Sequence, residues 1–221
     1  MLARIHSLLG VLLLGGFLVH HLLSLGPVTG GAGAWLIAHP EAGSGGGLTA
    51  VVVVVLLLHG ALGIARRRRA PADGATGAGL GRLQLVTGLL ALLFVLYHLG
   101  QVWAHVTTGD RPAHAAAYDS YAALWRTLGS PLDLGIYIVG ISALCFHLGH
   151  GLARLPATWG LSLGFSATAH RDLLARVFGG LIGIALWLGF LQILGHFALG
   201  EPLLPGGPNP LHDLAAPDAR R

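Results

Sequence analysis

LGIYIVGISALCFHLGHGLAR, residues 134–154, carries no charge before Arg154. It is apolar for about 20 residues, the length a helix needs to cross a bilayer. Inside it stand two histidines, His147 and His150. An imidazole in hydrocarbon is costly, so an intramembrane histidine marks a functional site whose partner has to be found. Gly140, Gly149 and Gly151 strip side chains from the surface around His147, which predicts room there for a flat ligand. Working outward, three other apolar stretches hold comparable histidines: His21, His59 and His98.

The 221 residues are 54% hydrophobic and 10% charged, with mean hydropathy +0.72. A soluble domain cannot hide that much apolar surface, so the fold class is an all-α integral membrane protein. Residues 1–200 read as one domain of five spans, at about 5–25, 48–65, 83–105, 134–154 and 173–199. Arg4 ahead of span I looks like the start of a signal peptide. The run is long, however, has no clean cleavage site and carries histidines in its far half, so a retained helix is expected. Gly26-Pro27 should end it. Residues 26–47 then read as an uncharged loop in which Trp35-Leu36-Ile37 dips into the interface. Residues 70–81 read as a flexible connector, and the polar stretch 107–131 has room for a short surface helix bearing Tyr121 and Trp125. TWGLSLGFSAT, 158–168, reads as a loop, and the Pro-rich tail 201–221 as disordered.

All thirteen basic residues are arginine. Because they flank apolar spans, they report topology rather than a nucleic-acid partner. Arg4, Arg66–Arg69, Arg82, Arg154, Arg171 and Arg176 fall on one side; Arg111, Arg126, Arg220 and Arg221 fall on the other. The positive-inside rule predicts a cytoplasmic N-terminus and an external C-terminus. The all-Arg, Gly- and Ala-rich composition suggests a GC-rich bacterial genome, and the expected location is the bacterial inner membrane. The single cysteine, Cys145, excludes an intrachain disulfide.

Topology turns positions into depths. His59 lies seven residues before Arg66 and His147 seven before Arg154. Both therefore sit ~10 Å from the inner arginines. His21 is seventeen residues beyond Arg4 and His98 sixteen beyond Arg82, which puts both ~25 Å out, near the far edge of the hydrocarbon. Two depth-matched pairs result, each drawn from two helices. Two histidines facing each other in a four-helix bundle are what a bis-imidazole haem requires, and two stacked haems would carry electrons across the membrane. Metal transport usually wants carboxylates, and no span has an Asp or Glu in its core.

His20 is rotated about 100° from His21, so only one of them can face a given ligand. His105, His150 and His196 lie near helix ends; His105 and His150 suit propionate or quinone contacts or a hydrated surface, and the preferred reading for all three turns the polar tip to water. His39, His114, His170 and His212 are assigned to loops. His6, beside Ser7, stands at the inner end of span I, where propionates or a quinone head group can bond.

RIHSLLGVLLLGGFLVHHL (4–22), LLLHGALGIA (56–65), LQLVTGLLALLFVLYHLGQVW (83–103) and IYIVGISALCFHLGHGLARLPATWGL (136–161) cover spans I to IV. Together they resemble the cytochrome b membrane subunit of succinate dehydrogenase and fumarate reductase, in its single-chain, five-helix, two-haem form. The most specific elements are IHSLLG, Q-x-V-T-G before a span histidine, and the distal TWG. The resemblance implies spans I–IV bundled around two haems b. It puts the axial ligands at His21, His59, His98 and His147, with His21 preferred over His20. It pairs His59 with His147 for the inner haem and His21 with His98 for the outer.

It further implies a membrane quinone (menaquinone or ubiquinone), and flavoprotein and iron–sulfur subunits docked on the cytoplasmic face. Ser7 and Arg154, with Gln84 or Trp159, are the inner-side candidates for contacts to haem or quinone. Some members carry a glutamate two residues before the span IV ligand, linked to proton movement; here that position is Cys145. Glu41, the one acid in the first outer loop, is a candidate for an outer quinone site.

The chain has no glycine-rich dinucleotide motif in strand–helix context and no cysteine cluster. It is therefore expected to pass electrons rather than to act on succinate itself. The alternatives are a haem b anchor of a hydrogenase or formate dehydrogenase, and a haem-free scaffold or permease.

Overall fold

The computed structural model describes residues 1–38, 46–69, 78–106, 113–161 and 168–199. Glu41, residues 70–77 of the connector, Arg111, residues 162–167 and the tail from 200 onward lie outside them. The described residues are helical throughout, apart from the ends of segments and short turns. Span I comprises α1 (Leu2–Leu8), a π-helical stretch (Leu9–Gly15) and α2 (Gly16–Leu25), and a 3₁₀ turn (Gly26–Gly30) follows it. Next come α3 (Gly31–Ala38), α4 (Gly46–Arg69, span II), α5 (Ala78–Val106, span III) and α6 (Ala113–Leu128). The chain closes with α7 (Pro131–Ala153, span IV), α8 (Leu155–Trp159) and α9 (Thr168–Leu199, span V). Five of these helical stretches are long and apolar enough to cross a membrane.

Boundaries follow local chemistry. Ser130 caps α7, its hydroxyl facing the Asp133 amide, and Pro131 takes the first helical position, where no amide hydrogen is needed. Gly160 closes α8 at φ +69°, a left-handed conformation that glycine adopts without strain. Residues 158–159, expected in a loop, belong to this short helix. The four arginines 66–69 do not stop span II but form its last turn. Their side chains can reach water from a continuing helix.

Gly26-Pro27 bends the chain without ending helicity. The backbone passes through the 3₁₀ turn into α3, so residues 26–38 are not the loop the sequence predicts. Val28 and Trp35 are buried in the core, and only Ile37 of the Trp-Leu-Ile triplet is strongly exposed. Trp35 is therefore part of the hydrophobic core rather than an interface anchor.

Spans I to IV form a ring: I touches II and IV, and III touches II and IV. Span V packs along the outside of span IV, the most extensive helix–helix interface among the described residues. Without water to drive association, helices in lipid close on small residues. Here Gly149 and Cys145 of α7 meet Gly179 and Gly183 of α9, backbone against backbone. Above this seam the Trp187 indole nitrogen donates to Ser142 Oγ at 2.9 Å. Trp187→Phe should lower stability by about 1 kcal/mol, read as a lower thermal unfolding midpoint in detergent. An unchanged midpoint would mean that this bond contributes nothing. Span II is the contrast, since none of its residues from Ala50 to Arg68 is buried by the rest of the protein.

Candidate functional site

The four span histidines lie in two pairs. His59 of α4 and His147 of α7 have ring centroids 6.1 Å apart with planes at 87°. His21 of α2 and His98 of α5 have centroids 5.9 Å apart with planes at 65°. His20 points elsewhere, onto an apolar groove of about 340 Å³ between spans I and II.

Each ring of the first pair sits in a cradle built by one sequence motif. In IHSLLG, the His6 carbonyl accepts from His59 Nδ1 at 3.1 Å, and the His6 ring stacks on His59 at 4.0 Å. Any side chain at Gly10 would strike the His59 ring. Arg66 Nη1 donates to His6 Nδ1 at 3.1 Å, which fixes the stacked ring. In QLVTG, Gln84 and His147 clasp reciprocally. His147 Nδ1 donates to the Gln84 carbonyl, and the Gln84 amide donates to the His147 carbonyl, both at 3.1 Å. Thr87 ties its own helix back to the Leu83 carbonyl at 2.8 Å. Gly88 leaves room for the imidazole, since a Cβ there would lie 2.7 Å from the His147 ring.

With Nδ1 engaged by a carbonyl, both rings keep Nε2 available as a ligand nitrogen. At His98 the same role falls to the Tyr137 hydroxyl, 2.9 Å from Nδ1. Phenyl rings flank the second pair: Phe17 stacks on His21 at 5.6 Å and Phe94 on His98 at 6.1 Å.

A cavity of about 1180 Å³ opens beside the first pair. Its walls include His6, His59, Gln84, His147 and His150, and its rim carries Arg66, Arg67, Arg154 and Arg176. Arginines from the ends of three helices, α4, α7 and α9, therefore gather around one opening. Gln84 Oε1 and His150 Nδ1 are buried and have no hydrogen-bond partner among the described residues. Trp159 stands beside this end, under the Arg4 guanidinium at 5.7 Å. Ser7, half-buried, is not part of the cavity wall.

Several expectations change. His150 does not simply turn to water: its ring stacks on Phe146 at 6.1 Å and helps wall the cavity. His196 is buried, with Nε2 3.0 Å from the Tyr121 hydroxyl and its ring packed on Phe197. The reason is α6, which folds over the end of span V and replaces water there. Gly140 and Gly149 do not open a ligand surface, because Gly140 seats Phe94 and Gly149 seats the backbone of span V. The glycine that makes room beside His147 is Gly88, on the neighbouring helix. The α5 helix runs through residue 105, whose side chain is outside the described set.

Sequence reasoning missed Gly10, Gly88 and Tyr137 as parts of the site. For the glycines a signal existed. Gly10 is one helical turn beyond His6, and Gly88 one turn beyond Gln84, on the faces those residues present.

No protein-family model matches the chain, and no solved structure does. Among curated proteins it is similar to the succinate dehydrogenase cytochrome b558 subunit of Bacillus subtilis. The two are 31% identical over 168 residues, spanning 72% of this chain and 80% of the relative. That span covers most of both proteins. The chain belongs to the succinate dehydrogenase cytochrome b family and is a multi-pass membrane protein.

Proposed function

We propose that this chain is the di-haem membrane anchor of a succinate:quinone oxidoreductase or quinol:fumarate reductase. In this reading His59 and His147 hold an inner haem b, and His21 and His98 an outer one. The observation that carries it is the spacing of the two cross-helix pairs, 6.1 and 5.9 Å between ring centres. Two imidazole nitrogens, each ~2 Å from a shared iron, put their ring centres ~6 Å apart. The engaged Nδ1 atoms support the fit, since a ligating histidine characteristically donates its other N–H to a fixed acceptor.

Bound haem b supplies one-electron iron chemistry; the chain supplies orientation, burial and charge. Arg66, Arg67, Arg154 and Arg176 at the cavity rim suit the propionates, and Gln84 Oε1 and His150 Nδ1 offer two further polar contacts. His6 supports His59 through its carbonyl and takes a bond from Arg66 at Nδ1, which leaves its Nε2–H as a donor for a propionate or quinone head group.

The inner end carries most of the arginines, so it faces the cytoplasm of a bacterium, where flavoprotein and iron–sulfur subunits dock. Electrons pass between the iron–sulfur subunit and membrane quinone. The test is a reduced-minus-oxidised spectrum of the purified protein with pyridine-haemochrome quantification. Two haems b per chain are expected, together with co-purification of a succinate-oxidising flavoprotein. A colourless protein from a preparation that retains its cofactors would remove this reading. A nickel or molybdenum subunit in its place would assign the anchor to another respiratory complex.

A further inference from the structure

We propose that Tyr137 is the positioning residue of His98, its hydroxyl setting how strongly that imidazole binds iron. The inference rests on the di-haem reading and deepens it at one ligand. His59 and His147 are each held at Nδ1 by a helix carbonyl at 3.1 Å. His98 instead meets a side chain, the Tyr137 hydroxyl on the next helix, at 2.9 Å.

Tyr137 is 5% exposed and is fixed by its neighbours. Its ring meets Phe94 edge-on at 5.2 Å and His98 edge-on at 5.7 Å, with Tyr97 at 6.2 Å. The Tyr97 hydroxyl is not a competitor, because it donates to the Asp133 carboxylate. A histidine that ligates through Nε2 carries its proton on Nδ1, so His98 donates and the phenol oxygen accepts. An acceptor at that position makes the imidazole more basic and favours ferric over ferrous iron. The inner pair draws this support from backbone that no substitution can delete. At His98 one oxygen atom provides it.

Tyr137→Phe keeps the ring and its contacts and removes only that oxygen. In the assembled, membrane-bound complex, the outer haem should lose about tenfold of its preference for the ferric state. For a one-electron couple that is a rise of ~59 mV in midpoint potential. The outer wave is identified as the one missing in His21→Ala, and the inner wave should stay where it is. A ring-fluorinated tyrosine at position 137, which keeps the hydroxyl but weakens its oxygen as an acceptor, should move the same wave the same way by less. It decides the matter if Tyr137→Phe fails to assemble. An unmoved outer wave, or inner and outer waves moving together, would overturn the inference while leaving two haems in place. Absence of haem from the wild-type protein would instead overturn the reading beneath it.

Discussion

His59→Ala should lower the haem content from two per chain to about one, and His98→Ala should do the same at the other level. The argument is local. Each pair draws its two nitrogens from different helices, and no residue serves both pairs. Deleting His59 leaves His147 clasped to Gln84, but with no second imidazole across the gap. His6 does not replace it, since its Nδ1 accepts from Arg66 and its carbonyl is part of the backbone. The outer pair keeps its phenyl flanks and its Tyr137 bond, so one full set of low-spin bands should survive. Pyridine-haemochrome quantification reads the count, and low-temperature spectra read which level remains. An unchanged count in both variants would remove these histidines as ligands.

Gly179→Leu should separate span V from span IV. A Cβ at this position would sit against the Gly149 carbonyl, and 2.9 Å from the Ala153 amide nitrogen. Both are backbone atoms of a packed helix and cannot swing aside as a flexible side chain can. Overpacking of this kind costs about 1–3 kcal/mol in well-packed interiors. Where association rests on close approach of small residues, the whole interface has to open. Gly180 is the control, because a side chain there meets nothing within 4 Å. In detergent, Gly179→Leu should unfold at a clearly lower temperature than Gly180→Leu. Equal midpoints would show that the seam does not hold the two spans together.

How much of this was legible in one dimension depends on direction. Distances along the membrane normal follow from rise per residue and the arginine flanks. The five spans, and which span histidine stands near which, were therefore readable from the sequence. Even Tyr137 could have been reached this way. It lies seventeen residues before Arg154, at nearly the same depth as His98, sixteen beyond Arg82.

Lateral direction is different. Whether Gly149 faces a ligand or a fifth helix depends on which neighbour stands on that side, and the composition of α7 is apolar all round. His196 looked hydrated because its end of span V is near the surface, and nothing in its own segment announces that α6 covers it. Trp35 is of a residue type that favours interfaces, but α3, which follows the 3₁₀ turn at Gly26–Gly30, holds it in the core. The His147 cradle was half visible. QLVTG stood out as a motif, but its partner lies 63 residues away.

The ring of spans I to IV has neighbours along its sides, I with II, II with III, III with IV and IV with I. The histidine pairs join the other combinations, I with III and II with IV. They are diagonals, and only the second borders the arginine-lined cavity. A frame of four staves linked only along its edges can lean like a hinged parallelogram, whatever the stiffness of each stave. One crosspiece stops the lean in one direction, and a second, across the other diagonal, stops it in both. Bridged through iron, the two pairs would serve as crossed braces as well as steps for an electron. The weakly buried span II would then owe its alignment to the brace that ends on His59.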